Sequence, residues 1–219
     1  MHTLTANGPR ARWMSAGLCV MSVWILGGCA SEPVTPDPLE AARTDYARYC
    51  GLCHGDDGAG YIAPRANALS NDLFLAAASD DFLRVGIRDG RPGTKMSAWG
   101  VAKGGPLRAD QVDGLVALMR SWQKRTTLTL DESKLTGNAA GGETIYAENC
   151  ASCHGPAGEG GSALSLNHPV FLASVSDGFL RASILQGRPG TPMPAYAETL
   201  SASEVDSLIH VIRSFSPGK

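Results

Sequence analysis

Tyr46-Ala47-Arg48-Tyr49-Cys50-Gly51-Leu52-Cys53-His54-Gly55 returns 100 residues later as Tyr146-Ala147-Glu148-Asn149-Cys150-Ala151-Ser152-Cys153-His154-Gly155. Outward from this pair the repetition continues at a slightly different offset. Ser79-Asp80-Asp81-Phe82-Leu83-Arg84 is matched 97 residues on by Ser176-Asp177-Gly178-Phe179-Leu180-Arg181. Gly90-Arg91-Pro92-Gly93-Thr94-Lys95-Met96 is matched at the same offset by Gly187-Arg188-Pro189-Gly190-Thr191-Pro192-Met193. Two copies of a unit this long read as tandem domains, each with its own core and site, rather than as a solenoid.

Each copy closes on a helical pattern. Val112, Leu115, Val116, Met119 and Trp122 fall on one helix face, as do Val205, Leu208, Ile209, Ile212 and Phe215. Asp110 and Ser203 sit near the starts of these stripes, where caps and acids are favoured. Each copy opens on a shorter helix, over about 39–49 and 142–149. No segment alternates with period two in β-branched residues, so the fold class is all-α without a sheet. The boundaries read as 39–125 for the first domain, 126–139 for a linker and 140–219 for the second.

The two Cys-x-x-Cys-His motifs carry the chemistry. Two thiols three residues apart on one helical turn can reach the two vinyl groups of one haem and form thioethers. The adjacent His then offers its imidazole to the iron. Three other uses of the thiols compete. A four-Cys zinc site would need both pairs together, yet Cys53 and Cys150 are 97 residues apart and lie in different copies. A dithiol redox motif belongs after a strand, and no strand is readable. A disulfide across two residues of helix has poor geometry. Covalent haem at Cys50 and Cys53, and again at Cys150 and Cys153, is the reading that uses every feature of the repeat.

The sixth ligand follows by elimination. Past residue 28 the chain has three Met: Met96, Met119 and Met193. Met119 belongs to the apolar helix stripe and is core. Met96 and Met193 lie 42 and 39 residues after His54 and His154, in matching Pro/Gly loops that can hold a thioether over an open haem face. The axial pairs are therefore His54/Met96 and His154/Met193. His168, beside Pro169, is the one competing candidate for the second iron, and His210 lies within the last helix.

The N-terminal segment reads as an export signal. Arg10 and Arg12 precede an apolar run of 14 residues, Trp13–Leu26, shorter than the ~20 a membrane-spanning helix needs. Leu26-Gly27-Gly28-Cys29 resembles a bacterial lipobox, which implies cleavage after residue 28 and lipidation of Cys29. An ordinary signal peptide or N-terminal anchor is the other reading. Prolines 33, 36 and 38 make residues 29–38 a semi-rigid tether. The expected location is the periplasmic side of a bacterial membrane.

Residues 38–126 carry 12 basic and 10 acidic side chains, and residues 139–219 carry 4 and 7. Neither balance favours nucleic acid. The difference in sign predicts different docking faces on the two halves.

These features together resemble the class I cytochromes c, and the tandem arrangement resembles their dihaem members. The resemblance covers about residues 39–125 and 140–216. It rests on CxxCHG, on Gly58-x-Gly60 and Gly158-x-Gly160, on the methionine loop, and on the closing helix with its aromatic. It implies helices that cross with Trp122 near Tyr46 and Phe215 near Tyr146. It also implies a carbonyl after CxxCHG that accepts the histidine proton, at Pro64 in the first copy and Leu164 in the second. Arg91 and Arg188 are candidates to neutralise haem propionates; solvated loop arginines are the equal alternative.

The implied function is single-electron transfer through two covalent haems c between a donor and an acceptor redox protein, or within a membrane respiratory complex. The stretch Gly187–Pro194 is similar to loops in the dihaem subunits of haem-copper oxidases. A dihaem enzyme of peroxidase or thiosulfate-oxidising type is the rival, and it would need an iron with a displaceable ligand.

Overall fold

A computed structural model describes residues 37–215. The export segment and Cys29 therefore lie outside the described residues. The first copy contains α1 (Glu40–Tyr49), α2 (Gly51–His54), α3 (Asp72–Ala77), α4 (Asp80–Arg88), a 3₁₀ turn (Val101–Lys103) and α5 (Ala109–Ser121). The second contains α6 (Ala139–Asn149), α7 (Ala151–His154), α8 (Pro169–Ser174), α9 (Asp177–Gln186) and α10 (Ala202–Ser214). Among the described residues the sole β pairing is an isolated bridge between Gly100 and Leu107. The all-α reading holds. The second copy opens at Ala139, three residues before the stretch the sequence suggests, because Asn138 caps it by accepting from Gly141 N–H at 2.8 Å.

The first and last helices of each copy cross, as the resemblance implies. Tyr46 and Trp122 meet edge to face at 5.1 Å and 82°, and Tyr146 and Phe215 at 5.1 Å and 69°. A glycine stands at the crossing in each copy, on opposite helices, and in the second copy the close approach requires it. In the first copy Gly114 of α5 faces the Ala42 methyl of α1. In the second Gly142 of α6 lies against Ser207 of α10, where a β-carbon would collide with the Ser207 carbonyl. Val112, Leu115, Val116 and Met119 are buried along α5, as are Val205, Leu208, Ile209 and Ile212 along α10. A Ser201–Glu204 capping box starts α10, with Ser201 N–H donating to Glu204 Oε2 at 2.7 Å.

The sequence reading does not identify α3, α4, α8 and α9, and these helices join the copies. Helix α3 packs on α9, and α4 on α8, in a pseudo-symmetric exchange. Phe82 lies 5.0 Å from Phe179 and 6.2 Å from Phe171, and Phe74 lies 6.3 Å from Phe179. Each of these four rings is at least nine-tenths buried. Burial of a Phe side chain is worth roughly 1.5–3 kcal/mol, so four shared rings hold the copies as one body. The expectation of a separate core per domain is thus corrected. One cluster runs through both copies, and a smaller one, built on Ala42, Tyr46, Leu107, Val112, Leu115 and Leu118, stays within the first.

Residues 126–138 run over the surface without helix or strand. Leu128 N–H donates to the Ala76 carbonyl at 2.8 Å, and Leu128, Leu130 and Leu135 pack on the shared core. Arg181 and Asp206 are covered by this segment and pair at 2.7 Å with exposures of 8% and 7%. The equivalent pair in the first copy, Arg84 and Asp113, is also 2.7 Å apart but remains 37% and 55% exposed.

Candidate haem-binding sites

Helices α1 and α2 meet at Cys50, and α6 and α7 at Cys150, so each CxxCH stands on a short helix after a bend. A tyrosine from the opening helix fixes that corner. Tyr46 OH donates to the Gly55 carbonyl, and Tyr146 OH to the Gly155 carbonyl, both at 2.8 Å and buried. Burial, first, raises both phenols well above their ordinary range. They therefore stay protonated and act as donors.

The four thiols are free and half-buried. Burial pushes the Cys50 thiol up to about 12 and the Cys150 thiol up to about 11. A dithiol redox motif instead lowers the pKa of its leading cysteine, the opposite direction. Among the described residues no three His, Cys, Asp or Glu side chains gather as a metal ion would require. The two cysteine pairs thus do not assemble a zinc site.

The imidazoles are held for ligation. His54 Nδ1 hydrogen-bonds the Asn67 carbonyl at 3.0 Å, and His154 Nδ1 the Leu164 carbonyl at 2.8 Å. A proton on Nδ1 leaves the Nε2 lone pair free. Burial lowers both histidine pKa values, so the neutral form is favoured. The acceptor in the first copy is Asn67, not Pro64. The first copy's loop is three residues longer, which is where the repeat offset falls from 100 to 97. Leu164 is consequently the counterpart of Asn67, and Ser70 and Asn167 confirm the register by donating N–H to the Gly58 and Gly158 carbonyls at 2.9 and 3.0 Å.

The methionine loops are built alike. Arg91-Pro92-Gly93-Thr94 closes with Thr94 N–H donating to the Arg91 carbonyl at 2.9 Å, and Arg188-Pro189-Gly190-Thr191 does so at 3.0 Å. Pro at the second position and Gly at φ +86° and +80° at the third make type II turns. Thr94 Oγ1 then accepts from Met96 N–H at 3.1 Å, and Thr191 Oγ1 from Met193 N–H at 3.3 Å.

Cys50, Cys53, His54, Met96, Cys150, His154 and Met193 all line one continuous cavity of about 870 Å³. Arg91 and Arg188 line it too, and among the described residues neither forms an ion pair. Their side chains donate to the Gly90 and Gly187 carbonyls, and Arg188 also donates to Ser183 Oγ. Burial lowers the pKa of Arg91 and brings Arg188 down to about 10. A desolvated guanidinium without a counter-charge calls for an anion. A flat apolar group carrying two carboxylates fits a cavity with this lining.

His168 also lines the cavity. Its Nε2 hydrogen-bonds the Pro92 carbonyl at 2.9 Å and its Nδ1 accepts from Val170 N–H at 3.3 Å. Both nitrogens are thus engaged by backbone groups. Met119 is 4% exposed in the core, as its place in the stripe implies. The sequence reading does not identify the tyrosine hydroxyl bonds at the CxxCHG corners; the repeated spacing from Tyr46 to Gly55 and from Tyr146 to Gly155 is the signal that carries them.

Residues 37–119 and 137–210 match the family described as cytochrome c oxidase, cbb3-type, subunit III. The cbb3-type cytochrome c oxidase subunit FixP of Bradyrhizobium diazoefficiens is 30% identical over 210 residues, covering 89% of this chain and 69% of that one. The subunit CcoP of Azospirillum sp. is 30% identical over 199 residues, covering 83% and 63%. The chain thus spans about two thirds of the length of these relatives. Among solved structures, a chain of a Kuenenia stuttgartiensis reducing HAO-like protein complex aligns at a TM-score of 0.48 and 22% identity, over 81% of this chain and 96% of that one. The family match takes in both CxxCH motifs, and the chain belongs to the cbb3-type cytochrome c oxidase subunit III family as a c-type cytochrome with two covalently bound haems.

Proposed function

We propose that this protein carries single electrons between redox proteins outside the cytoplasm and is itself a carrier, not a catalyst. The observation behind this reading is the pairing, in each copy, of a CxxCH histidine with a turn-held methionine on one cavity. Cys50 and Cys53 hold the first haem and Cys150 and Cys153 the second. His54 and Met96 would ligate the iron of the first, and His154 and Met193 that of the second. When bound, each haem iron takes up and releases one electron.

The chain's own residues favour that role over catalysis. The Asn67 and Leu164 carbonyls orient the imidazoles and raise their basicity. The Met96 and Met193 thioethers would leave no open position for a substrate, and methionine–histidine ligation would raise the reduction potential. Arg91 and Arg188 hold haem carboxylates, which would otherwise be buried charges without partners.

The partner that fits best is a membrane respiratory complex, since the named relatives are subunits of a cbb3-type oxidase. Among the described residues no helix is long and apolar enough to cross a membrane. Attachment is assigned to lipid on Cys29, with the Pro-rich tether leading to the first helix and both domains on the periplasmic side. Stepwise reduction of the pure protein, followed by absorbance, is expected to consume two electrons per chain. Added peroxide should not be turned over by the reduced protein. Uptake of one electron, or rapid peroxide turnover, contradicts the reading.

A further inference from the structure

Asn71 and His168 stand at matching places in the two copies and differ in type, yet each makes one capping bond and one bond across the interface. Each caps a helix of its own copy. Asn71 Oδ1 accepts from Phe74 N–H at 3.0 Å, and His168 Nδ1 accepts from Val170 N–H at 3.3 Å. Each then donates across the interface. Asn71 Nδ2 donates to the Pro189 carbonyl at 2.9 Å, and His168 Nε2 to the Pro92 carbonyl at 2.9 Å. Pro92 and Pro189 are the second residues of the turns that lead to Met96 and Met193. The turn's own closing bond uses the carbonyl of the preceding arginine, which leaves the proline carbonyl for an outside donor.

We infer that Asn71 and His168 are positioning residues that act crosswise: each holds the methionine loop of the other copy. The inference rests on Met96 and Met193 being the axial ligands. The loop is stiff enough to transmit a displacement. Arg91 N–H donates to the Met96 carbonyl at 2.7 Å, and Arg188 N–H to the Met193 carbonyl at 3.0 Å. The loop from Pro92 to Met96 therefore moves as a piece. The buried phenylalanine cluster fixes the interface that brings donor and loop together. Axial ligation in each copy thus depends on a side chain belonging to its neighbour.

The test uses the haem-loaded full chain. The Cε methyl resonance of each ligating methionine is read in the reduced protein and assigned with Met96→Ala and Met193→Ala. Displacement of each methionine by added imidazole is followed in the oxidised protein. His168→Ala should shift the Met96 resonance and speed its displacement by about 2- to 10-fold, the effect of one lost neutral hydrogen bond. Met193 should stay as it was. Asn71→Ala should give the mirror image. His168→Asn, which copies the arrangement of the first half, should restore Met96. The inference is overturned if His168→Ala disturbs Met193 instead, disturbs both or neither, or is not rescued by His168→Asn. If the unmodified protein shows no ligated-methionine resonance, the ligation reading itself is wrong. That result is distinct from two resonances that ignore His168.

Discussion

Met96→Ala should abolish the methionine-to-iron charge-transfer band of one haem and leave the other intact, with Met193→Ala doing the converse. Each variant should open one coordination position in a cavity of about 870 Å³. The opened iron should become high-spin and bind cyanide or carbon monoxide quickly. Its reduction potential should fall, by an appreciable part of the ~0.8 V range that axial ligands command. Met119→Ala is the control. Its side chain is buried beside the same cavity but sits on the helix stripe, so the band should survive while stability drops by ~2–5 kcal/mol. Optical and potentiometric titrations of the three variants check the assignment. A band that persists in Met96→Ala removes Met96 as ligand.

Asp206→Ala should be the most damaging single change away from the haem sites. Arg181 loses a partner 2.7 Å away while 8% exposed, and Thr136 loses the acceptor for its N–H and its hydroxyl, both at 2.9 Å. Breaking a buried pair costs ~3–5 kcal/mol, and because Arg181 keeps the exposed Asp131 carboxylate at 3.7 Å the lower end of that range is expected. For a chain of this size the range is a fall of roughly 6–20 °C in Tm. Asp113→Ala removes the equivalent but exposed pair of the first copy and should cost no more than ~1 kcal/mol.

The same contrast has a pH signature. Burial pushes the Asp206 carboxyl up, but bonds from Thr136 and Arg181 outweigh it and hold the carboxyl below its usual 3.8. A depressed carboxylate stabilises the fold above its unfolded value, and that contribution is lost as the pH falls through the folded one. The stability gap between wild type and Asp206→Ala should therefore be full near neutrality and close below pH 3.8. Thermal melts across that range check it.

Much of this was legible in the chain itself. The CxxCHG repeat, the methionine loops and the two closing stripes are local patterns with fixed spacing, and the folded chain puts each where that spacing implies. The contacts between copies were not legible. Helix α3 has six residues, five of them buried, so it shows no polar face and no readable period. Phe74, Phe82, Phe171 and Phe179 come together only because α3 and α4 meet α9 and α8, and no local pattern encodes that meeting. Asn67 was obscured by a three-residue difference in loop length, although the change of offset from 100 to 97 is visible in the repeat. The second bond of His168 is a long-range contact to Pro92, beyond any motif.

Intact mass of the matured polypeptide under denaturing conditions tests the central claim most directly. Thioether links survive unfolding, so the chain should carry the added mass of two haems, one each on the peptides containing Cys50–Cys53 and Cys150–Cys153. A single haem, or a colourless chain whose four thiols react with an alkylating reagent, would contradict it.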